Sequence, residues 1–427
     1  MFQKVKGFQD TYGDDCACWE KAESIMRDTF ALFLVREIRL PILEKTAVFN
    51  RGIGQTTDIV EKEMFTFADR DRADSEGELL SLRPEGTAGT VRAYIENGLY
   101  NPPGIKKLYY SGPMFRREKP QKGRYRQFSQ CGAEFIGSSS PLADADAINL
   151  LITYFDRVNI SRFTHLEINS VGCPLCRPEY HSKLTGYFNK HKDGLCADCN
   201  RRLTKNPLRI LDCKNENCGK IIKNASVMLD SLCPECAEHF ESVKMYLDAL
   251  NVKYIINPFM VRGLDYYVRT AFEVVTAELG AASAVGGGGR YDGLVETLGG
   301  PAVPGVGFAI GMDRVVALMK LSEEFKQTPP KAFIVTFGGK VKNSEIALLN
   351  RLRAQNIPVE IDYDGKGMKS QLKQADRTGA KYAVIAGEEE MNRGAVMLRN
   401  LSSSTQEEVS IADLILKIGN NHPFNFL

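Results

Sequence analysis

The chain has 427 residues, room for two or three domains at about 150 residues each. Its 43% hydrophobic and 25% charged residues are ordinary globular composition and exclude a disordered chain, a fibrous repeat and a disulfide miniprotein. With 55 basic against 53 acidic residues, a uniformly basic nucleic-acid coat is also excluded, so any polyanion contact must come from a local patch.

In chain order, Glu20 to Val35 has helical spacing, with Ala22, Ile25, Met26, Phe30 and Phe33 largely on one face. Lys107 to Glu118 and Arg126 to Gly137 read as two strands, joined by a loop that Pro120 and Gly123 punctuate. Period-two alternation places Tyr110, Gly112, Met114, Arg116 and Glu118 on one face of the first strand. It places Phe128, Gln130, Gly132 and Glu134 on one face of the second. Eight basic residues and one acidic residue, Glu118, lie between Lys106 and Arg126, a local charge of +7. Charge alone would suit a solvated basic hairpin equally well. A polar face with an aromatic ring on an apolar sheet, however, lines a pocket rather than a core. Such a floor offers cations, carboxylates, an amide and a stacking ring to a nucleotide and a small polar ligand.

Residues 171–255 differ in texture and read as an inserted domain holding eight of the eleven cysteines. The pairs are Cys173-x2-Cys176, Cys196-x2-Cys199, Cys213-x4-Cys218 and Cys233-x2-Cys236. Gaps of 19 and 14 residues separate the first pair from the second and the third from the fourth. This is zinc-ribbon-like spacing, and eight thiolates would fill two four-thiolate sites for Zn²⁺. The spacing leaves open which pairs share a metal, and a lapsed array of reduced thiols is the alternative. No segment reaches the ~18 to 20 apolar residues that span a bilayer. Met1 to Asp10 lacks the order of a signal peptide. A cytoplasmic protein without membrane contact is expected, where clustered cysteines favour metal over disulfides.

The core resumes near Tyr254. Val261-Arg-Gly-Leu-Asp-Tyr-Tyr267 is unusually polar and aromatic for a strand end. Ala284-Val-Gly-Gly-Gly-Gly-Arg-Tyr-Asp292 is either a flexible turn or a strand whose bare backbone a ligand can approach. Gly305, Gly307 and Ala309 give another bare strand face, followed by a helix, Asp313 to Leu321, with Arg314 in its first turn. A helix N-terminus with an arginine attracts phosphate. Lys326-Gln-Thr-Pro-Pro-Lys331 is a linker. Beyond it, strands at Lys331 to Phe337, Val359 to Tyr363, Tyr382 to Ala386 and Ala395 to Leu398 suggest a compact α/β domain. Its helices are Ser344 to Gln355, with Ile346, Leu349 and Leu352 inward, and Ile411 to Ile418.

Together these residues resemble the histidyl-tRNA synthetases, class II aminoacyl-tRNA synthetases, over essentially the whole chain. Leu40-Pro41, Glu44 and the run Thr57 to Met64 are similar to motif 1 and its sequel. Arg83-Pro-Glu-Gly-Thr87, Phe115-Arg116, the loop to Arg124 and Arg126-Gln-Phe128 are similar to the motif 2 region. Arg262 to Tyr267 is similar to the histidine-specific signature, and Gly305 to Arg314 to motif 3. The resemblance implies an α+β fold with a six-to-seven-stranded antiparallel catalytic sheet from residues 1–170 and 256–327. It adds the Cys-rich insertion at 171–255 and an α/β anticodon-binding domain at 328–427. It implies a homodimer with motif 1 at the interface. The reaction it implies is ligation of L-histidine to the 3′ end of histidine tRNA through histidyl-adenylate, with ATP as substrate and Mg²⁺ on its phosphates.

By the same resemblance, Arg116 and Arg262 are catalytic cations at the α-phosphate, Arg262 standing where other class II enzymes place a metal. Arg314 holds the terminal phosphate and Arg124 the pyrophosphate side. Phe128 stacks on adenine, and Glu118 sits at the base end. Glu85, Thr87 and Gln130 take the substrate's α-amino group. Glu134 and Tyr267 bond the imidazole, with Tyr266 and Tyr291 beside it. The insertion is expected to clamp the acceptor arm through Arg201-Arg202 and the run Asn206 to Asp212. Lys119 departs from the arginine expected in the motif 2 loop, and only some relatives carry the cysteine array. A regulatory subunit of ATP phosphoribosyltransferase shares the catalytic fold. It would lack the ATP-binding arginines and the tail domain, and here Arg116, Arg262, Arg314 and the tail are all present.

Overall fold

The computed structural model describes residues 2–54, 57, 59–69, 78–120, 123–262, 264, 266–280, 283–337 and 341–419. Its contacts divide into two units, Met1–Lys326 and Gln327–Leu427. Strands of the first unit are β1 (Arg36–Glu37), β2 (Leu43–Lys45), β3 (Phe65–Ala68), β4 (Leu79–Leu82), β5 (Lys106–Phe115) and β6 (Gln127–Ile136). They continue with β7 (His165–Ser170), β8 (Ile255–Ile256), β9 (Val268–Thr276), β10 (Ser283–Arg290) and β11 (Gly305–Gly311).

The large sheet runs β1-β5-β6-β11-β10-β9-β7-β8. Its six inner strands are antiparallel. The two-residue edge strands β1 and β8 pair parallel with their neighbours and extend the expected sheet. Strands β2, β4 and β3 form a separate small sheet.

Side chains alternate across a strand, so each strand of the large sheet serves two surroundings. One face is apolar: Ala133 and Phe135 of β6, Phe308 and Ile310 of β11, Phe272 and Val274 of β9 and Ile168 of β7 are buried in one core. Helices Asp14–Leu32, Pro141–Arg157, Pro234–Ala249 and Met312–Ser322 fill that core with Phe30, Leu151, Phe240 and Leu318 among others. The opposite face carries Phe128, Gln130, Gly132 and Glu134 of β6, with Gly307 opposite Glu134 and Ala309 opposite Gly132. Gly287 of β10 lies between Ala309 and Glu273. That row of small residues leaves a shallow floor bounded by polar groups.

Most expected elements form, with ends shifted by a few residues. The first helix starts earlier, at Asp14, because Asp14 and Asp15 in its first turn favour a helix N-terminus. The strand expected to reach Glu118 ends at Phe115, and Arg116 and Glu118 leave the sheet at its rim. The glycine run is a strand rather than a flexible turn. The insertion has its own apolar core around Tyr180, Leu184, Phe188 and Ile210, with five of the array cysteines buried in it. Helix Pro234–Ala249, within the range read as insertion, instead packs Phe240, Val243 and Leu247 behind the large sheet.

The second unit contains β12 (Ala332–Val335), β13 (Val359–Ile361), β14 (Tyr382–Ile385), β15 (Ala395–Asn400) and β16 (Gln406–Ser410). They form one sheet in the order β13-β12-β14-β15-β16. Strands β13, β12 and β14 are parallel, and β15 and β16 continue antiparallel. In helix Asn343–Ala354 the expected inward face is rotated. Glu345, Leu348 and Leu352 are buried, and Ile346 is 50% exposed. The Glu345 side chain turns in because it accepts from the Lys342 backbone N–H and caps the helix. Among the described residues no helix is long and apolar enough to cross a membrane.

Candidate active site

A cavity of about 230 Å³ opens on the polar face of the large sheet. Its floor is Phe128 and Gln130 of β6, Gly286 and Gly287 of β10 and Ala309 of β11, and Arg116, Arg124, Arg262 and Arg314 surround it. Glu85, Thr87, Glu118, Tyr266 and Tyr267 complete the expected residues on its wall. Sequence positions 85 to 314 thus converge on one hollow. Asp58, Gln121, Lys122, Gly263 and Asp265 of the expected motifs lie outside the described residues.

Each arginine is held. Arg116 Nε donates to the Pro84 carbonyl at 2.9 Å, and its guanidinium lies 5.2 Å from the Phe128 ring centre. Arg124 reaches Glu118 at 3.4 Å. Arg314, in the first turn of its helix, donates to the Ala284 carbonyl. Burial, then the nearby Arg124 charge, holds the Arg314 guanidinium below its ordinary value, with Arg116 adding to the effect. Three cations that repel one another across a partly dry hollow form an anion site.

Arg262 Nη1 donates to Glu273 at 2.8 Å, and its guanidinium sits over Tyr267 at 5.5 Å. Its buried Nε has no hydrogen-bond partner among the described residues. A buried N–H left unpaired is rare, and it leaves this guanidinium a donor to spare. The glycine run makes room for this arrangement: a Cβ at Gly287 would stand 2.9 Å from Arg262 Nη1 and 2.8 Å from the Phe272 carbonyl.

Glu85 accepts from the backbone N–H groups of Thr87 and Ala88 at 2.6 and 2.9 Å, capping helix Thr87–Glu96. Each carboxylate oxygen keeps a second lone pair. Gln130 is oriented by the Tyr110 hydroxyl at 3.3 Å. Glu134 and Tyr291 do not line the cavity. They are buried behind it, and Tyr291 donates to Glu134 Oε2 at 2.6 Å while Thr87 donates to Oε1 at 2.7 Å. The Tyr266 ring joins the layers, 4.6 Å from Tyr267 and 5.9 Å from Tyr291.

Burial pushes the Glu134 carboxyl from 4.5 up to about 8, against the hydrogen bonds from Thr87 and Tyr291. A carboxyl raised on folding stabilises the fold below its unfolded value, and that contribution is lost as pH rises through the folded value. Urea unfolding followed by fluorescence of Trp19, the single tryptophan, should therefore show stability falling by about 2 kcal/mol between pH 6 and 8. Glu134→Gln should flatten that fall, and an equally steep fall in the variant would assign the proton elsewhere.

The cysteine array resolves into two nested sets. Cys173, Cys176, Cys233 and Cys236 form one, and Cys196, Cys199, Cys213 and Cys218 the other. Within each set the sulfurs lie within 4.8 Å of one another. The separations Cys173–Cys176, Cys173–Cys233, Cys176–Cys236 and Cys196–Cys213 are 3.6, 3.8, 3.9 and 3.8 Å. A tetrahedral zinc with bonds of about 2.3 Å has sulfur–sulfur edges of about 3.8 Å, so the sets fit that ion. Burial pushes the Cys199 and Cys218 thiols up, while the Cys199 backbone N–H draws the more exposed Cys196 thiol down to about 7.

Residues 7–173 and 198–315 match the model of a family described as histidyl-tRNA synthetase, and residues 331–421 match an anticodon binding domain. The chain is 48% identical to a histidine–tRNA ligase of Desulforamulus reducens over 420 residues, 97% of this chain and 98% of that one. The chain belongs to the histidyl-tRNA synthetase family. It is also similar to the crystal structure of apo S. aureus histidyl-tRNA synthetase, with a TM-score of 0.81, 34% identity and coverage of 98% and 100%. An ATP phosphoribosyltransferase regulatory subunit/histidyl-tRNA synthetase from Bacillus halodurans shares the fold at a TM-score of 0.56 and 20% identity over 85% of this chain and 93% of that one. Glu273, the carboxylate that aims Arg262, is a site residue that no sequence motif marks. A lone carboxylate among the apolar residues of β9 was the available signal. Tyr125 and Asp313 also line the cavity. Asp313 accepts from the Ser129 N–H at 2.7 Å and ties the Arg314 helix to β6.

Proposed function

We propose that this pocket activates L-histidine with ATP, releases pyrophosphate, and transfers the histidyl group from the adenylate to the 3′ end of histidine tRNA. The observation that carries the reading is the convergence of Arg116, Arg124, Arg262 and Arg314 on one hollow whose wall also carries Tyr266, Tyr267, Glu85 and Glu118. The histidine carboxylate attacks the α-phosphorus, and negative charge grows on the α-phosphate oxygens. Arg116 and Arg262 meet that charge from fixed positions, which is where preorganised cations contribute most. Arg124 and Arg314 hold the departing pyrophosphate, with Mg²⁺ carried on the triphosphate. Phe128 faces adenine, and Glu118 keeps its place at the base end. Glu85, Thr87 and Gln130 supply acceptors for the α-ammonium group. Tyr266 and Tyr267 face the imidazole, backed by Glu134 and Tyr291. Neutral imidazole presents one N–H and one bare nitrogen, and a carboxyl with hydroxyls answers both. A different amino acid offers this wall no matching N–H and bare nitrogen, which is a basis for rejection.

Each four-cysteine set is read as a structural Zn²⁺ site that holds the insertion, which is expected to clamp the acceptor arm. The exposed apolar residues Ile42, Leu43, Phe67 and Leu79 on and beside the small sheet support a homodimer. Histidine-dependent ATP–pyrophosphate exchange tests the assignment, and no exchange with pure protein and Mg²⁺ would overturn it. Deleting residues 328–427 should leave exchange within about twofold and lower tRNA charging by at least about a hundredfold, since anticodon contacts act only on tRNA. Normal charging by the truncated chain would contradict the role of that unit.

A further inference from the structure

Behind the pocket lies an ionic network that the reaction does not use directly. The Arg290 guanidinium, at the end of β10, is completely buried and makes six hydrogen bonds. Two from Nε reach the Asp144 carboxylate at 3.2 Å each, and Nη2 reaches the same carboxylate. Nη1 donates to the Ser138 carbonyl at 2.9 Å and Asp292 Oδ1 at 3.1 Å, and Nη2 to the Ser140 carbonyl at 3.1 Å. Asp144 is fully buried and pairs on its other side with His239 Nε2 at 3.3 Å. Asp144 belongs to helix Pro141–Arg157, and His239 to helix Pro234–Ala249, which Cys233 precedes and whose first turn carries Cys236.

This network is a poor way to gain stability. Burying an ion pair costs about as much in desolvation as its attraction returns, and an apolar replacement is often as stable. What it does fix is geometry. Asp292, held by Arg290, accepts from the Gly305 N–H at 3.2 Å, and the Tyr291 N–H donates to the Gly305 carbonyl at 2.8 Å. Tyr291 is thereby clamped on both sides in sequence, with its hydroxyl on Glu134. Gly305 must lack a side chain, because a Cβ there would collide with the Tyr291 ring.

We propose that His239, Asp144 and Arg290 are positioning residues for imidazole recognition: they aim Tyr291 at Glu134 and tie the exit helix of the Cys-rich insertion to the histidine pocket. The proposal rests on the reading of Glu134 and Tyr291 as the imidazole's backing. Among the described residues, His239 is linked toward the ligand through Asp144, Arg290 and Tyr291, so its loss should act on histidine and spare ATP.

The test uses the full-length protein in histidine-dependent exchange, with histidine affinity measured independently by calorimetry. His239→Leu should raise the histidine KM and dissociation constant about tenfold, with the ATP KM within about twofold. His239→Gln, which still offers Asp144 an N–H, should restore histidine binding to within about twofold. Asp144→Asn, similar in shape, should repeat the His239→Leu pattern and serves if the leucine variant does not fold. An unchanged histidine KM in folded His239→Leu and Asp144→Asn overturns the proposal. So does an equal loss toward histidine and ATP that His239→Gln fails to restore. Tyr291→Phe separates the two levels. If it leaves the histidine KM unchanged, the imidazole reading itself falls. If it raises the KM while His239→Leu does not, only the positioning role falls.

Discussion

Arg262→Ala should slow histidine-dependent ATP–pyrophosphate exchange by about 10² to 10³-fold, with a much smaller change in histidine affinity. That magnitude is what removal of one preorganised donor from a developing oxyanion costs elsewhere. The physical basis is the fixed position of the guanidinium, which Glu273 holds at 2.8 Å and Tyr267 underlies at 5.5 Å. A side chain already immobilised loses little further freedom when charge appears on the phosphate. Glu273→Gln provides a graded control: it keeps a hydrogen-bond acceptor for Arg262 and should lower the rate by less than Arg262→Ala. A kcat for Arg262→Ala within about threefold of the parent would remove this residue from the chemistry.

Metal removal should have the other large effect. Protein purified without chelator should contain two Zn²⁺ per chain, and Cys218→Ser should leave one. The insertion has a small apolar core around Tyr180, Leu184, Phe188 and Ile210, into which five of the array cysteines pack. Structural zinc sites of this kind contribute about 10 kcal/mol or more of apparent folding free energy at neutral pH. Stripping both ions should therefore open residues 173–236 to protease while the large sheet stays protected. Metal-free protein with unchanged protease resistance would mean that the thiols pack as ordinary apolar side chains.

The site was legible where its signals were local. Alternation in β6 gave Phe128, Gln130 and Glu134 a shared face, and the +7 charge between Lys106 and Arg126 marked the anion side. The same locality limits what could be read. Arg290 lies 146 residues from Asp144 and His239 lies 95 residues from it, and no spacing rule links a buried arginine to such partners. Helix Met368–Arg377 is hard to read because its apolar stripe is only Met368, Leu372 and Ala375, in a segment whose other residues are all polar or charged. Strand β16 reads Gln-Glu-Glu-Val-Ser with only Val409 buried, too polar to show alternation. In helix Asn343–Ala354 the apolar residues Ile346 and Leu349 suggested one face, while the cap made by Glu345 sets the helix on another.

The nested cysteine pairing bears on how this part of the protein could be exchanged. Because the first and last pairs share one site, the two ends of residues 173–236 meet, with the sulfurs of Cys173 and Cys233 3.8 Å apart. A segment whose entry and exit coincide can be transplanted or shortened without stretching the catalytic sheet. The exit helix sets the limit, since Cys236 faces the insertion's core and His239, one turn later, bonds Asp144 behind the sheet. A chimera that borrows a relative's insertion should therefore change chains after Cys236 and before His239.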